Sequence, residues 1–265
     1  MSKAATKRRQ KGSPARDRLG PLPEWDLSDL YPSQDGPEIT KDIASSARAA
    51  ARFAKRYQGK LTDLDGDTLA KSITEFEKID EVLSRLMSYA SLLYAGDMMD
   101  PENGRFYQSM QETVVGISSH LLFFTLEINR VSDRALSKKL KASAKLRRYA
   151  PWLRDSRAYR PHQLDDQLEK LLHEKAVAGR SAWNRLFDET MAELVFEVDL
   201  PKGKKSLSSA ETLNLLSSVH GAERKAAAKA LGKTLGENAR VFSLITNTLA
   251  KDKEIEDKWR GFARP

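Results

Sequence analysis

The sequence predicts a mainly α-helical fold, with stacked antiparallel helical hairpins and one minor β-hairpin near residues 193–207. Three observations lead to this prediction. Apolar residues recur every three or four positions through most of the 265 residues. Polar or proline-containing breaks separate these apolar stripes. One short stretch, Leu194–Leu200, instead has the β-branched and aromatic residues, in partial alternation, that are typical of a strand.

The first half of the chain predicts three helices. Ile39–Tyr57 is amphipathic and rich in alanine, and a stripe over Leu69–Leu93 predicts a helix of about 30 residues. A further stripe over Phe106–Ile128 predicts one continuous helix, capped by Asp100 and with Pro101 at its first position. Because the link between the two long helices is short, we expect them to pack antiparallel.

Shorter helices are predicted over residues 132–140, 164–179 and 182–191. In the last of these, Trp183 and Phe187 lie one turn apart, and we expect both in the core.

The β-hairpin and the final helices follow. Pro201–Lys205 supplies the turn, and the hairpin must pack on helices because an isolated one is marginally stable in water. Ser208 and Glu211 form a capping box that opens the next helix. The apolar stripe predicted for that helix consists of Leu213, Leu216 and Val219. An alanine-rich helix begins at Gly221, and the stripe predicted for the last helix consists of Leu235, Ala239, Phe242, Ile245 and Leu249.

The positive charge is concentrated at the amino terminus. Residues 1–18 hold seven basic residues and one acidic residue, which accounts for six of the eight net positive charges. We therefore predict a disordered basic tail over residues 1–20 and a helical region over residues 21–265. A nucleic-acid partner would need a basic face on the folded part, so the sequence predicts none.

The composition limits the other classes of function. The chain has no cysteine, so it can form neither disulfides nor cysteine-based metal sites, and this suits a cytoplasmic location. No apolar run approaches the roughly 18–20 residues that span a bilayer, so we predict no membrane partner. Neither a phosphate-binding glycine loop nor a G-x-S-x-G elbow is present.

The four histidines do not form a recognisable site. His173 and Glu174 are the one His–Glu pair, but Val177 stands where a zinc-binding helix needs its second histidine. His120 lies among apolar residues and is expected in the core or at its boundary. His162 and His220 have no partner histidine at ligand spacing. We therefore predict no catalytic, cofactor-binding or metal-binding residue in this chain.

Acidic groups and the last aromatic residues also have simple interpretations. Asp165 and Asp166 are expected on a solvated helix face, as are three acids near the end of the chain, Glu254, Glu256 and Asp257. Trp259 and Phe262 are expected to anchor the final helix by packing.

Three motifs carry a resemblance to a known family. They are Leu22–Tyr31 (LPEWDLSDLY), Gly179–Thr190 (GRSAWNRLFDET) and Asn247–Pro265 (NTLAKDKEIEDKWRGFARP). In this order and at these separations, they resemble the amino-terminal, non-catalytic part of the oligoendopeptidase F family, zinc metallopeptidases of the H-E-x-x-H type. The resemblance covers nearly the whole chain from about Leu22.

The resemblance implies a zinc metalloendopeptidase that hydrolyses short, unfolded peptides in an enclosed chamber. The zinc of the complete enzyme would polarise the scissile carbonyl and activate water. This chain contains no zinc motif, so we expect it to be inactive alone, with the catalytic half as its partner. The alternative is a stand-alone helical interaction module without enzymatic activity. Reading the gene beyond the codon for Pro265 for an H-E-x-x-H frame would distinguish the two.

Overall fold

The structure, a computed structural model, describes residues 25–264. The predicted disordered tail, residues 1–20, lies outside these residues. The described part is mainly helical with one small antiparallel sheet, as the sequence predicts. The helices are α1 (Pro37–Tyr57), α2 (Gly66–Gly96), α3 (Pro101–Ser118), α4 (Leu122–Arg130), α5 (Asp133–Ala142), α6 (Ala144–Arg147), α7 (Ala150–Arg157), α8 (Asp166–Lys175), α9 (Arg180–Glu193), α10 (Ser209–Leu215), α11 (Gly221–Glu237) and α12 (Ala239–Trp259). The strands are β1 (Phe196–Leu200) and β2 (Gly203–Leu207), and a 3-10 turn covers Arg160–His162.

Helices α2 and α3 form the predicted hairpin, and α1 packs against both. The Asp100 carboxylate caps α3 by accepting a hydrogen bond from the amide of Glu102 at 2.9 Å. Pro101 occupies the first helical position, where its missing N–H has no partner to lose.

The predicted continuous helix over Phe106–Ile128 is wrong, because α3 ends at Ser118 and α4 begins at Leu122. The hydroxyls of Ser118 and Ser119 both donate to the carbonyl oxygen of Val115, at 3.2 and 3.0 Å. Such side-chain bonds compete with the backbone ladder at the end of α3.

The larger hydrophobic core lies among α1 to α7 and is rich in aromatic rings. Phe76 and Phe124 stack with their ring centroids 5.0 Å apart, and Phe53 meets Phe124 edge-on at 5.1 Å. Phe124 is completely buried. These offset and edge-on geometries are the favourable ones for aromatic pairs, so the rings fix how α1, α2 and α4 pack.

A second, smaller core lies beneath the β-hairpin. Phe196 pairs with Leu207 across the two strands, and the turn places Gly203 at a φ of 117° that other residues rarely adopt. Phe196 and Val198 are fully buried and pack with Ala230 of α11. The hairpin therefore packs on helices, as the sequence predicts.

The predicted apolar stripe after the hairpin is wrong. Leu213, Leu216 and Val219 are 53%, 39% and 88% exposed. Helix α10 has only seven residues, and its buried side chain is Thr212, whose hydroxyl donates to the carbonyl of Ser208 at 2.7 Å. The predicted capping box at the start of this helix is present.

Helix α9 contacts α12 and the end of α2. It packs against α12, where the rings of Phe187 and Phe242 meet at 5.6 Å. The Tyr94 hydroxyl of α2 donates to the Glu189 carboxylate at 3.3 Å. Phe187 is nevertheless 43% exposed and Trp183 is half-buried, so their expected place in the core is wrong for Phe187. Among residues 25–264, no helix combines the length and apolar character needed to cross a bilayer.

Candidate functional site

An apolar groove with a volume of about 500 Å³ lies between α8 and α12. Helix α12 contributes Ile255 and Trp259, which are one turn apart and so lie on one face. Charged side chains of Lys175, Arg180 and Asp252 line its rim. The leucines on and just before α8 that line the groove are Leu164, Leu168, Leu171 and Leu172. We call this feature the α8–α12 groove.

Large apolar side chains of this groove are open to solvent. Leu171 is 50% exposed, Ile255 is 51% exposed and Trp259 is 66% exposed. Fully burying such a side chain stabilises a structure by about 1.5–3 kcal/mol. An exposed apolar patch with a charged rim is typical of a surface that contacts another polypeptide. The expectation that Trp259 anchors the final helix by packing is therefore wrong.

A buried arginine joins the two walls of the groove. Arg260 follows α12 and is 7% exposed. Its guanidinium donates two hydrogen bonds to the Glu169 carboxylate, with Nη1–Oε1 at 2.7 Å and Nη2–Oε2 at 3.0 Å. Its Nε donates to Glu256 at 2.6 Å. Bidentate, charge-assisted pairs of this kind are strong and directional. We call Arg260, Glu169 and Glu256 the Arg260 clasp.

Aromatic contacts extend the clasp. Nδ1 of His162 lies 2.9 Å from the backbone oxygen of Arg260, and because a carbonyl only accepts, Nδ1 carries the hydrogen. The His162 ring stacks on Phe262 with the centroids 3.6 Å apart. The Tyr159 ring centroid lies 5.3 Å from the guanidinium carbon of Arg260. The residues after α12 thus fold back onto the turn that precedes α8, and Phe262 packs as expected.

The clasp determines the ionisation of Glu169. Burial alone would raise the pKa of this carboxyl group, but hydrogen bonds from Arg260 and from the Leu164 amide outweigh burial, and the pKa lies below its ordinary value. The pKa of Arg260 is raised, chiefly by its hydrogen bond to Glu169. Both groups are therefore charged at neutral pH.

The described residues do not fit a zinc site. Within residues 25–264, no three His, Cys, Asp or Glu side chains lie where they could share a metal ion. Nε2 of His173 is instead 2.9 Å from the hydroxyl of Ser118, and His162 contacts the backbone of Arg260. His120 is exposed, so its expected place in or at the edge of the core is wrong. A zinc ion needs three or four such ligands around one point.

The acids expected on solvated faces have specific partners. Asp165 caps α8 by accepting from the amides of Gln167 and Leu168, and Asp166 pairs with Arg130. The expectation of solvent exposure is wrong for Asp257, which is only 6% exposed and forms an ion pair with Lys253. The amide of Phe262 donates to the Asp257 carbonyl at 2.9 Å, which folds the end of the chain over this residue.

Comparisons with known proteins agree on one family. A family model described as Oligopeptidase F matches residues 127–196, which run from α4 into β1. Oligopeptidase PepF of Bacillus subtilis (strain 168) is 25% identical over 247 residues, covering 90% of this chain and 36% of PepF.

Solved structures show the same fold. Oligoendopeptidase-F from Enterococcus faecium superposes with a TM-score of 0.76 at 20% identity, covering 87% of this chain and 44% of that protein. A putative peptidase from Chlamydophila abortus superposes with a TM-score of 0.52 at 19% identity, covering 90% of this chain and 40% of that protein.

The chain is similar in sequence and fold to the amino-terminal part of oligoendopeptidase F proteins. It spans less than half the length of these relatives. The family resemblance drawn from the three sequence motifs is thereby confirmed.

Two features of the site escaped prediction from sequence. The pairing of Glu169 with Arg260 was missed because the two residues are 91 positions apart. Each also has charged neighbours in the sequence, which is typical of an exposed helix face. The exposure of Trp259 was also missed, since an aromatic residue near a helix end was expected to pack, and the sequence placed Ile255 in no apolar stripe. The detectable signal was Arg260 itself, because it lies inside the motif Asn247–Pro265 that resembles the family.

Proposed function

We propose that this chain forms one part of a zinc-dependent oligoendopeptidase that hydrolyses short peptides in the cytoplasm. The part of the enzyme that carries the zinc and the catalytic groups packs on the α8–α12 groove. The observation that carries this proposal is the exposed apolar patch of Leu171, Ile255 and Trp259, in a chain that spans less than half the length of its peptidase relatives.

Two further observations support a division of labour. The described residues offer no set of zinc ligands, so the metal would be bound elsewhere in the enzyme. Zinc, when bound there, would supply a Lewis acid and an activated water. The residues of this chain would exclude solvent and position the wall that faces the peptide. The rigid pairing of Arg260 with Glu169 would keep α8 and α12 at a fixed separation for that contact.

The test is to purify the tagged protein from its native host and assay hydrolysis of a quenched-fluorescent short peptide. We expect the wild-type preparation to hydrolyse the peptide, a chelator to stop hydrolysis and zinc to restore it. The double variant Ile255→Asp/Trp259→Asp should lose this activity because a charge would then be buried at the contact. Its melting temperature should stay near that of the wild type, since both side chains are more than half exposed.

Val219→Asp is the matched control, because Val219 is 88% exposed and does not line the groove. It should retain full activity. Equal activity in the groove variant and the wild type would refute the role of the groove. A wild-type preparation without chelator-sensitive hydrolysis would refute the peptidase assignment and favour the non-catalytic interaction module.

A further inference from the structure

A strongly basic surface lies on the larger core, away from the α8–α12 groove. Residues 134–148 contain seven lysines and arginines and no acidic residue. They form α5, α6 and the start of the link to α7, and they pack on α2. Two of the seven have structural partners. Lys139 donates to the carbonyl of Thr62 at 2.9 Å, and Arg147 donates to the carbonyl of Lys141 at 3.0 Å.

The other five side chains follow one another at steps of three or four residues and are exposed. They are Arg134, Lys138, Lys141, Lys145 and Arg148. Leu136 and Leu146, which lie between them in sequence, are buried, so the basic residues point away from the core. Across residues 25–264, none of the five has a carboxylate oxygen within ion-pairing distance. Arg134, Lys138 and Lys141 lie at this spacing on α5, and like charges so placed destabilise a helix by about 0.2–0.5 kcal/mol per pair.

We call these five residues the basic ridge, and one end of the ridge borders an open cleft of about 960 Å³. Lys145 and Arg148 line one side of the cleft, and Lys71 and Lys78 of α2 also line it. Tyr149 also lines the cleft, with its ring half-buried against the larger core and its hydroxyl donating to the Glu77 carboxylate at 2.7 Å. Four cations thus converge on a single concave surface.

The two acids of the cleft are already engaged. Asp67 accepts a hydrogen bond from the hydroxyl of Ser143. Glu75 forms an ion pair with Arg56 at 3.0 Å. The four cations that line the cleft outnumber its two acids, and this surplus of positive charge is available to an outside anion.

We propose that this basic face, made of the five ridge residues with Lys71 and Lys78, binds the phosphate backbone of single-stranded nucleic acid. A concave surface lined by several cations that can neutralise phosphates suits such a strand. No large apolar side chain of residues 100–158 is exposed. A bilayer surface would need such anchors in addition to charge, so the face does not suit a membrane.

The sequence predicts no nucleic-acid partner because the net charge outside the first 18 residues is only +2. That balance conceals how the charges are segregated. Residues 134–148, on α5, α6 and the link after α6, carry only basic charge, while Glu169, Glu256 and Asp257 lie around α8 and α12. A nucleic-acid partner needs a basic face on the folded part of the chain, and the structure contains such a face.

The test measures binding of the 265-residue chain to a fluorescent oligouridylate of about 20 nucleotides by anisotropy, between about 50 and 200 mM salt. The variant is Lys145→Gln/Arg148→Gln. The matched control is Lys225→Gln/Lys229→Gln, which removes the same charge from exposed positions of α11 beside Glu197 and Asp199. The tail is unchanged in all three proteins, so its contribution is constant.

We expect the wild type to bind with a strong salt dependence. Losing two phosphate contacts should reduce the slope of log K against log salt by about 1.4 and weaken binding about 25-fold at 0.1 M salt. The control should bind like the wild type. Equal losses in both double variants, or no measurable binding by the wild type, would overturn the proposal. So would stronger binding of polyglutamate of equal length, which would indicate an acidic protein partner, or of phosphatidylserine vesicles.

Discussion

Replacing Arg260 by alanine tests whether the clasp holds the end of the chain. The substitution removes both hydrogen bonds to Glu169, the bond to Glu256 and a fourth hydrogen bond, from Nη1 to the carbonyl of His162 at 3.2 Å. The side chains of Arg260 and Glu169 are 6% and 11% exposed. Without its partner, the Glu169 carboxylate would be left buried with only the Leu164 amide to stabilise its charge.

Breaking a buried ion pair from one side destabilises a protein by about 3–5 kcal/mol. Because Glu169 keeps its backbone hydrogen bond and Glu256 is 37% exposed, we expect the lower end, about 3 kcal/mol. The matched control is Arg130→Ala, which breaks the ion pair between Arg130 and Asp166. These two side chains are 46% and 52% exposed. An exposed pair contributes about 0–1 kcal/mol, so the control should change little.

Amide hydrogen exchange is the suitable assay because it resolves local opening. The amides of Arg260 and Phe262 donate to backbone carbonyls at 2.9 Å and should be protected in the wild type. Arg260→Ala should reduce their protection about 100-fold, since 1.4 kcal/mol corresponds to a factor of ten. Rapid exchange of these amides already in the wild type, or equal effects of the two substitutions, would refute the structural role of the clasp.

Three further predictions concern other features. The pKa of Glu169 is depressed in the fold, so its stabilising contribution is present above the ordinary value of 4.5; exchange protection near Arg260 should fall as pH drops below that value. Gly66→Ala should lower the melting temperature, because a Cβ there would lie 2.7 Å from the carbonyl oxygen of Lys139. Gly104→Ala, with no atom within 4 Å, should be neutral or stabilising by up to about 1 kcal/mol. After chelator washing and dialysis, metal analysis should find less than stoichiometric zinc in the 265-residue chain.

The parts of the fold that the sequence predicted are those fixed by neighbouring residues. The long amphipathic helices α1 and α2 follow from an apolar period that any packed helix must show. The cap at Asp100 and the hairpin after Leu194 likewise depend on residues close together in sequence. Each is a local preference that the packing does not override.

The parts that the sequence missed depend on competition or on distant partners. The apolar stripe continues through the break between α3 and α4, where the hydroxyls of Ser118 and Ser119 bond the Val115 carbonyl, so periodicity alone did not reveal the break. A buried Asp257 and a solvated acid look alike in a helical charge pattern. Only the fold shows which of the two is buried. The same holds for the pairing of Arg260 with Glu169, which are 91 positions apart in the sequence.

The clasp and the groove share Glu169, Glu256 and Arg260, but Ile255 lines the groove alone, so substitutions can separate their roles. Glu169 and Glu256 line the α8–α12 groove and bind Arg260, so the clasp sets the distance between the two walls without filling the space between them. Arg260→Ala should therefore weaken peptidase activity and also lower exchange protection near the end of α12. Ile255→Asp should weaken activity alone, because its side chain is 51% exposed and supports little of the fold. If Arg260→Ala kept full activity while losing protection, the groove would not need fixed walls, and the contact with the rest of the enzyme would have to form elsewhere.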